Sequence, residues 1–277
     1  MRILISNDDG VHAPGLRALQ KELKKLGEVV VVAPLEERST TGHSLTIHKP
    51  LRLIELEKGF YGVSGSPADC VYLGIRQVLK GMPDLVVSGI NRGANLGQDV
   101  YYSGTVSAAR EACILGIPAL SVSLAVNFFE HNPGDEALNY GAAARTVLRV
   151  LREIPPSQFP HHTLFNLNVP DVPFNRIKGI ELTRQGFRFY NGNVLRRVDH
   201  RGRDYYWVGG QYKGFRQEEG TDCHAIETGH ASLTPLKLDS TDLEFMATLR
   251  AGSPPGETGP RKTRSTRKAA GRKGRSR

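Results

Sequence analysis

Apolar residues fall along the first 170 positions in two alternating rhythms. Residues 3–6 form a short apolar-leaning run that ends on Asn7, Asp8, Asp9 and Gly10. Leu16, Leu19, Leu23 and Leu26 then recur at helical spacing, and Gly27 marks the end of that helix. Residues 29–33 predict a second buried strand, and the connection after it contains an extended pair at 45–47 and 51–56. Ser66-Pro67-Ala68-Asp69 predicts a helix start, with a capping serine, a proline in the first turn and an acid at the positive end of the dipole. That helix runs to about residue 79. Strands follow at 85–88, 119–123 and 164–169, with helices between them at 108–115 and 137–151. Nearly continuous apolar strands alternating with helices predict an α/β fold around a doubly wound, mostly parallel sheet.

Beyond Pro170 the rhythm changes. Segments 187–190, 194–198 and 205–208 read as hairpin strands, so the region of about 171–236 is predicted to leave the sheet as a β-hairpin or arm. A strand at 231–236 and a helix at about 241–249 close the ordered part. Residues 1–250 are thus expected to form one domain.

The charge sharpens that boundary. The net charge is +9, and residues 251–277 carry six Arg, three Lys and one Glu, which leaves +1 for the first 250. With almost nothing apolar to bury, this basic tail is expected to be disordered. Its cations lack interleaved aromatics, so it predicts at most weak, non-specific contact with nucleic acid or polyphosphate. No run of about 18 apolar residues predicts a membrane span, and no basic-then-apolar leader pattern opens the sequence. Three scattered cysteines (Cys70, Cys113, Cys223) argue against a disulfide framework or zinc site and fit a cytoplasmic protein.

Candidate chemistry gathers where strands end. Ligands of open parallel sheets bind beyond the strands' carboxyl ends, and three polar stretches stand there: Asn7 to Gly10, PLEERSTTG at 34–42 and GINRGANLGQDVYY at 89–102. Adjacent Asp8 and Asp9 repel unless exposed in a turn or given a positive partner. Carboxylates, a hydroxyl and a side-chain amide are oxygen donors suited to a hard divalent cation. Ser103-Gly104-Thr105 opens a helix and offers hydroxyls, backbone N–H groups and the positive dipole end to a phosphate. Capping competes for the same donors.

Several long motifs in order are similar to those of the survival protein E family. They are ILISNDDG at 3–10, APLEERSTTGHSLT at 33–46, SGSPADC at 64–70, VSGINRGANLGQDVYYSGTVSAAREA at 87–112, FNLNVP at 165–170 and GTDCHAIETGHASLTPL at 220–236. The resemblance spans almost all of residues 1–250. It implies a Rossmann-like fold, a 5′-nucleotidase that hydrolyses nucleoside monophosphates with 3′-nucleotidase and polyphosphatase side activities, one divalent metal (Mg²⁺ or Mn²⁺), and a homodimer or homotetramer. Carried over by position, the metal ligands are Asp8, Asp9, Ser39 and Asn91, with the two aspartates catalytic. The phosphate contacts are Asn95, Ser103, Gly104 and Thr105. Ala94 departs from the family pattern, which often has proline there. The residues leave open whether water or an aspartate attacks. A non-catalytic nucleotide-sensing module and a polyanion binder acting through the tail are the competing readings.

Overall fold

The computed structural model describes residues 1–126 and 134–251. The basic tail, from residue 252 onward, lies outside the described residues. The chain divides after Leu238 into a unit of residues 1–238 and a second of residues 239–277.

In the first unit, β1 (Arg2–Ser6) is a central strand buried from Ile3 onward, because Ile3, Leu4 and Ile5 meet helices on both faces. It pairs in parallel with β2 (Glu28–Pro34) on one side and β5 (Leu85–Arg92) on the other. β3 (Leu53–Glu57), β4 (Phe60–Val63), β6 (Ala119–Ala125), β7 (Thr163–Pro170), β8 (Ile180–Leu182) and β13 (Ala231–Lys237) complete a nine-stranded sheet. Its order is β3-β4-β2-β1-β5-β6-β7-β13-β8. The six strands from β4 to β7 run parallel, β13 is antiparallel to β7, and β3 is antiparallel to β4.

Helices α1 (Pro14–Leu23) and α4 (Tyr140–Glu153) cover one face of the sheet; α2 (Pro67–Leu73) and α3 (Gly104–Ile114) cover the other. α1 buries Leu16, Leu19 and Leu23, the stripe that its spacing predicts, but it ends at Leu23, before Gly27. α2 opens with the expected cap: Ser66 Oγ accepts from the Asp69 N–H at 3.1 Å, and Asp69 Oδ2 accepts from the Ser66 N–H at 2.8 Å. A π-helical turn at Gly74–Val78 carries it to its predicted end.

Three expectations need correction. Residues 45–47 form no strand, because Asp69 pins that backbone instead: it accepts from both the N–H and the hydroxyl of Thr46. The partner of β3 is β4, which the sequence reading missed and which also extends the sheet beside β2. β5 continues to Arg92, so Asn91 stands on a strand and not in a loop. At the irregularity that permits this, Gly89 has φ +136°, and a Cβ there would lie 2.2 Å from the Val122 carbonyl oxygen.

The excursion is narrower than the expected 171–236, because β8 and β13 pair into the main sheet, and the arm itself is two nested antiparallel pairs. β10 (Asn193–Val198) pairs with β11 (Asp204–Gly209) beyond β9 (Arg188–Tyr190) and β12 (Tyr212–Phe215). The short α5 (Asp222–Glu227), capped by Thr221, leads back to β13. In the second unit, α6 (Leu243–Arg250) is capped by Asp242, which accepts from the Phe245 N–H at 2.8 Å. Among the described residues, no helix is long and apolar enough to cross a membrane.

Candidate active site

Chain order reverses around β1: β2 lies to one side and β5 to the other. The crevice beyond their carboxyl ends is the switch point where such sheets bind ligands. β1 delivers Asn7, Asp8 and Asp9 into it. Asn7 builds the turn by donating Nδ2 to the Gly10 carbonyl at 2.9 Å, while its Oδ1 is buried with no hydrogen-bond partner.

The two carboxylates are not an exposed turn. Asp8 is only 4% exposed. The Thr105 hydroxyl donates to Asp8 Oδ1, and the Thr105 backbone N–H also favours its ionised form. The positive partner of Asp8 is therefore the N-terminus of α3. Gly104 permits this approach, since a Cβ there would lie 2.7 Å from the Asp8 Cβ. Burial still outweighs these contacts and raises the Asp8 pKa above its ordinary value. Asp9 accepts from the Arg92 N–H at 3.2 Å; burial first, and then the charge of Asp8, push its pKa up to about 7.

The remaining candidates approach from neighbouring strands. The loop after β2 is tied to the site by the Arg38 N–H, which donates to the Asp8 carbonyl at 2.7 Å. It brings Ser39 and Glu37 to the cavity wall, with Ser39 Oγ donating to Glu37 at 2.6 Å. At the end of β5, Asn91 donates Nδ2 to the Gly93 carbonyl at 2.8 Å, which leaves its amide oxygen as the free end. Asn95 is held from three directions. Its N–H donates to Asn168 Oδ1 at 2.8 Å, its Nδ2 donates to Ser123 Oγ at 2.8 Å, and its carbonyl accepts from Asn166 and Asn168 at 2.9 and 3.0 Å. The sheet register supplies these partners, because Asn91, Ser123 and Asn168 stand opposite one another on β5, β6 and β7.

The cavity has a volume of about 930 Å³, and Asp8, Asp9, Ser39, Asn91, Asn95 and Ser103 line it together. Gly104 and Thr105 do not. They stand behind Asp8, with Thr105 fully buried and its hydroxyl on Asp8 Oδ1. Ser103 caps α3 by accepting from the Val106 N–H at 3.0 Å while still facing the cavity.

The donor set fits a hard cation. Two like charges are buried side by side with raised pKa values, and the hydroxyl of Ser39 and the amide of Asn91 line the same cavity. Among the described residues, no group of three or more His, Cys, Asp and Glu forms a metal cluster, so the oxygens of Ser39 and Asn91 would have to complete a shell.

Residues 3–192 match the family described as "Survival protein SurE". The chain belongs to the SurE family. It is 50% identical over 251 residues to the protein named 5′-nucleotidase SurE of Geobacter sulfurreducens, covering 91% of this chain and 93% of that one. The like-named protein of Pelobacter propionicus is 49% identical over 90% of this chain and 98% of its own length. The crystal structure of the SurE protein from Aquifex aeolicus superposes with a TM-score of 0.78 at 42% identity, over 91% of this chain and 99% of that one.

Within this SurE chain, several cavity residues carried no sequence assignment. Glu37, Asp135, Tyr190, Gln98 and Asp99 line the cavity, and Asn166 and Asn168 hold Asn95 from behind. Glu37, Gln98 and Asp99 lie in the polar stretches 34–42 and 89–102 without a role of their own, and the two asparagines are polar interruptions in the otherwise apolar strand FNLNVP. His12 lines the cavity, and His43 stands behind it, bonded through Nε2 to the buried Glu111 at 2.9 Å. Arg92 forms an ion pair with Asp135 at 3.0 Å.

Proposed function

We propose that this SurE 5′-nucleotidase hydrolyses nucleoside monophosphates to nucleoside and orthophosphate with one divalent cation, Mg²⁺ or Mn²⁺. Asp8, Asp9, Ser39 and Asn91 would hold the cation. The observation that carries this reading is the buried, adjacent carboxylate pair opening on a cavity large enough for a whole nucleotide. A bound cation there supplies Lewis-acid polarisation of the phosphoryl group.

The protein's part is positioning. Thr105 and the start of α3 orient Asp8; the Arg92 N–H orients Asp9; Asn95 and Ser103 present polar groups to the phosphate. Asn95 is suited to this because its own backbone and Nδ2 are already fixed by Asn166, Asn168 and Ser123, so little ordering is left to do on binding. Phosphate release from AMP should be complete with added Mg²⁺ or Mn²⁺ and fall to background with excess chelator. Undiminished release in chelator would overturn the metal assignment.

The arm supports a homodimer or homotetramer. Val194, Leu195, Trp207 and Val208 are exposed on a two-stranded hairpin, Val208 at 86%, and aromatic residues with polar handles are frequent at interfaces. Light scattering at micromolar concentration should give at least twice the 30.4 kDa of one chain; a monomer would contradict the assignment. A cytoplasmic location fits the three free, buried cysteines. The basic tail offers weak polyanion contact only, and every proposed site residue precedes it in the chain.

A further inference from the structure

The cavity is far larger than orthophosphate requires. Its wall carries the polar cluster around Asp8 and Asp9 and also Gln98, Asp99, Tyr102 and Tyr190. Tyr190 does not belong to the sheet edge that carries the carboxylates. It arrives on β9, at the base of the arm.

Its ring is held in place before any ligand binds. The Tyr190 hydroxyl donates to Asp99 Oδ2 at 2.5 Å, and Arg188 Nη1 donates to the same oxygen at 2.5 Å. The Tyr212 ring lies 5.9 Å from the Tyr190 ring between centroids, and the Arg188 guanidinium sits within 5.4 Å of it. Gln98 locks the strand to the site loop by exchanging two hydrogen bonds with the backbone of Arg188, at 2.7 and 2.9 Å. A tyrosine tethered by its hydroxyl and backed on one side, yet 43% exposed and lining a cavity, offers ring surface to a flat ligand at low ordering cost.

We propose that Tyr190 is the nucleobase platform of this site, with Tyr102 as a second aromatic surface. The phosphate is then held by Asn95 and Ser103, beside the cation-holding Asp8 and Asp9, while the base stacks on a residue supplied by the arm. The assignment rests on the nucleotidase reading and extends it to substrate specificity. Base stacking on an aromatic ring tolerates different bases, so this platform favours nucleotides over base-free phosphate esters and discriminates weakly among purines.

The test compares ligands that carry only one end of the nucleotide. Adenosine and orthophosphate are measured as competitive inhibitors of AMP hydrolysis in the wild type, Tyr190→Ala and Tyr190→Phe. In Tyr190→Ala the Ki for adenosine should rise about tenfold relative to the Ki for orthophosphate. Tyr190→Phe keeps the ring and should recover most of that loss. If both Ki values rise together, Tyr190 merely supports the fold; if adenosine's is unmoved, the base lies elsewhere; if Tyr190→Phe is as weak as Tyr190→Ala, the Asp99 tether and not the ring is responsible. Each of these overturns the proposal. Should Tyr190→Ala fail to fold, Tyr190→Leu takes its place with the same readout, and an unmoved adenosine Ki defeats the platform. A wild type that releases no phosphate from AMP would defeat the nucleotidase reading instead, and calorimetric titration of wild type and the Tyr190 variants with adenosine would still decide the platform.

Discussion

Asp8→Asn and Asp9→Asn each lower kcat/KM on AMP by at least about a hundredfold, since even residues that only orient metal ligands cost 10- to 100-fold when replaced. Each substitution keeps the side chain's size and removes one charge from the proposed cation shell. At Asp8 it also sets an amide against the Thr105 hydroxyl and N–H, which can be satisfied only through the remaining oxygen. The fold should survive both changes. The native pair places two negative charges in a buried setting, and neutralising either one relieves their repulsion in the metal-free protein. The check is steady-state hydrolysis across a metal titration, with thermal unfolding of the same preparations. A variant that matches the wild-type rate at limiting metal would remove its aspartate from the metal shell.

Metal-free wild-type protein should lose stability as pH rises from about 4 to 7, and Asp9→Asn should lose less, keeping only the share that the raised Asp8 contributes. The Asp9 pKa is pushed from 3.8 up to about 7 in the folded state, first by burial and then by Asp8. A raised carboxylate pKa means that the folded state binds the proton more tightly than the unfolded one. The resulting stability is fully present below the unfolded pKa and is lost as pH rises through the folded one. At about 1.4 kcal/mol per pKa unit, the full difference is roughly 4 kcal/mol, on the order of 10 °C in Tm for a domain of this size. A divalent cation reverses the sign, because it binds the doubly ionised pair and therefore stabilises most at high pH. Unfolding curves of wild type and Asp9→Asn from pH 4 to 8, with chelator and with Mn²⁺, test this. Parallel pH profiles for the two metal-free proteins would show that Asp9 ionises as freely when folded as when unfolded.

The elements whose information is local were legible in the residues. The Leu16, Leu19 and Leu23 stripe, the Ser66–Asp69 capping box and the continuous apolar runs of β1, β5, β6 and β7 all appear where spacing and composition put them. Such signals depend on neighbours within about one or two helical turns. The arm was legible for the same reason, as a break in the βαβ rhythm followed by alternating strands. The polar clusters at strand ends likewise marked the edge of the sheet at which a site would form.

Spacing, composition and motifs alone thus set the alternation of elements, the edge on which chemistry gathers and the family to which the chain belongs. Tertiary structure decided the rest. β4 is four residues long and becomes a strand only through pairing with β2 and β3. Thr105, 97 positions away along the chain, is brought against Asp8 at the start of α3 only by the closed fold. Asn95 is fixed by Asn166 and Asn168 from more than 70 residues away, through a register that only the assembled sheet defines. Tyr190 reaches the cavity because Asp99 and Gln98 anchor the base of the arm, a contact of about 90 residues' separation. In each case the deciding term is desolvation together with hydrogen bonds between distant segments. Neither exists until the chain has closed around the site.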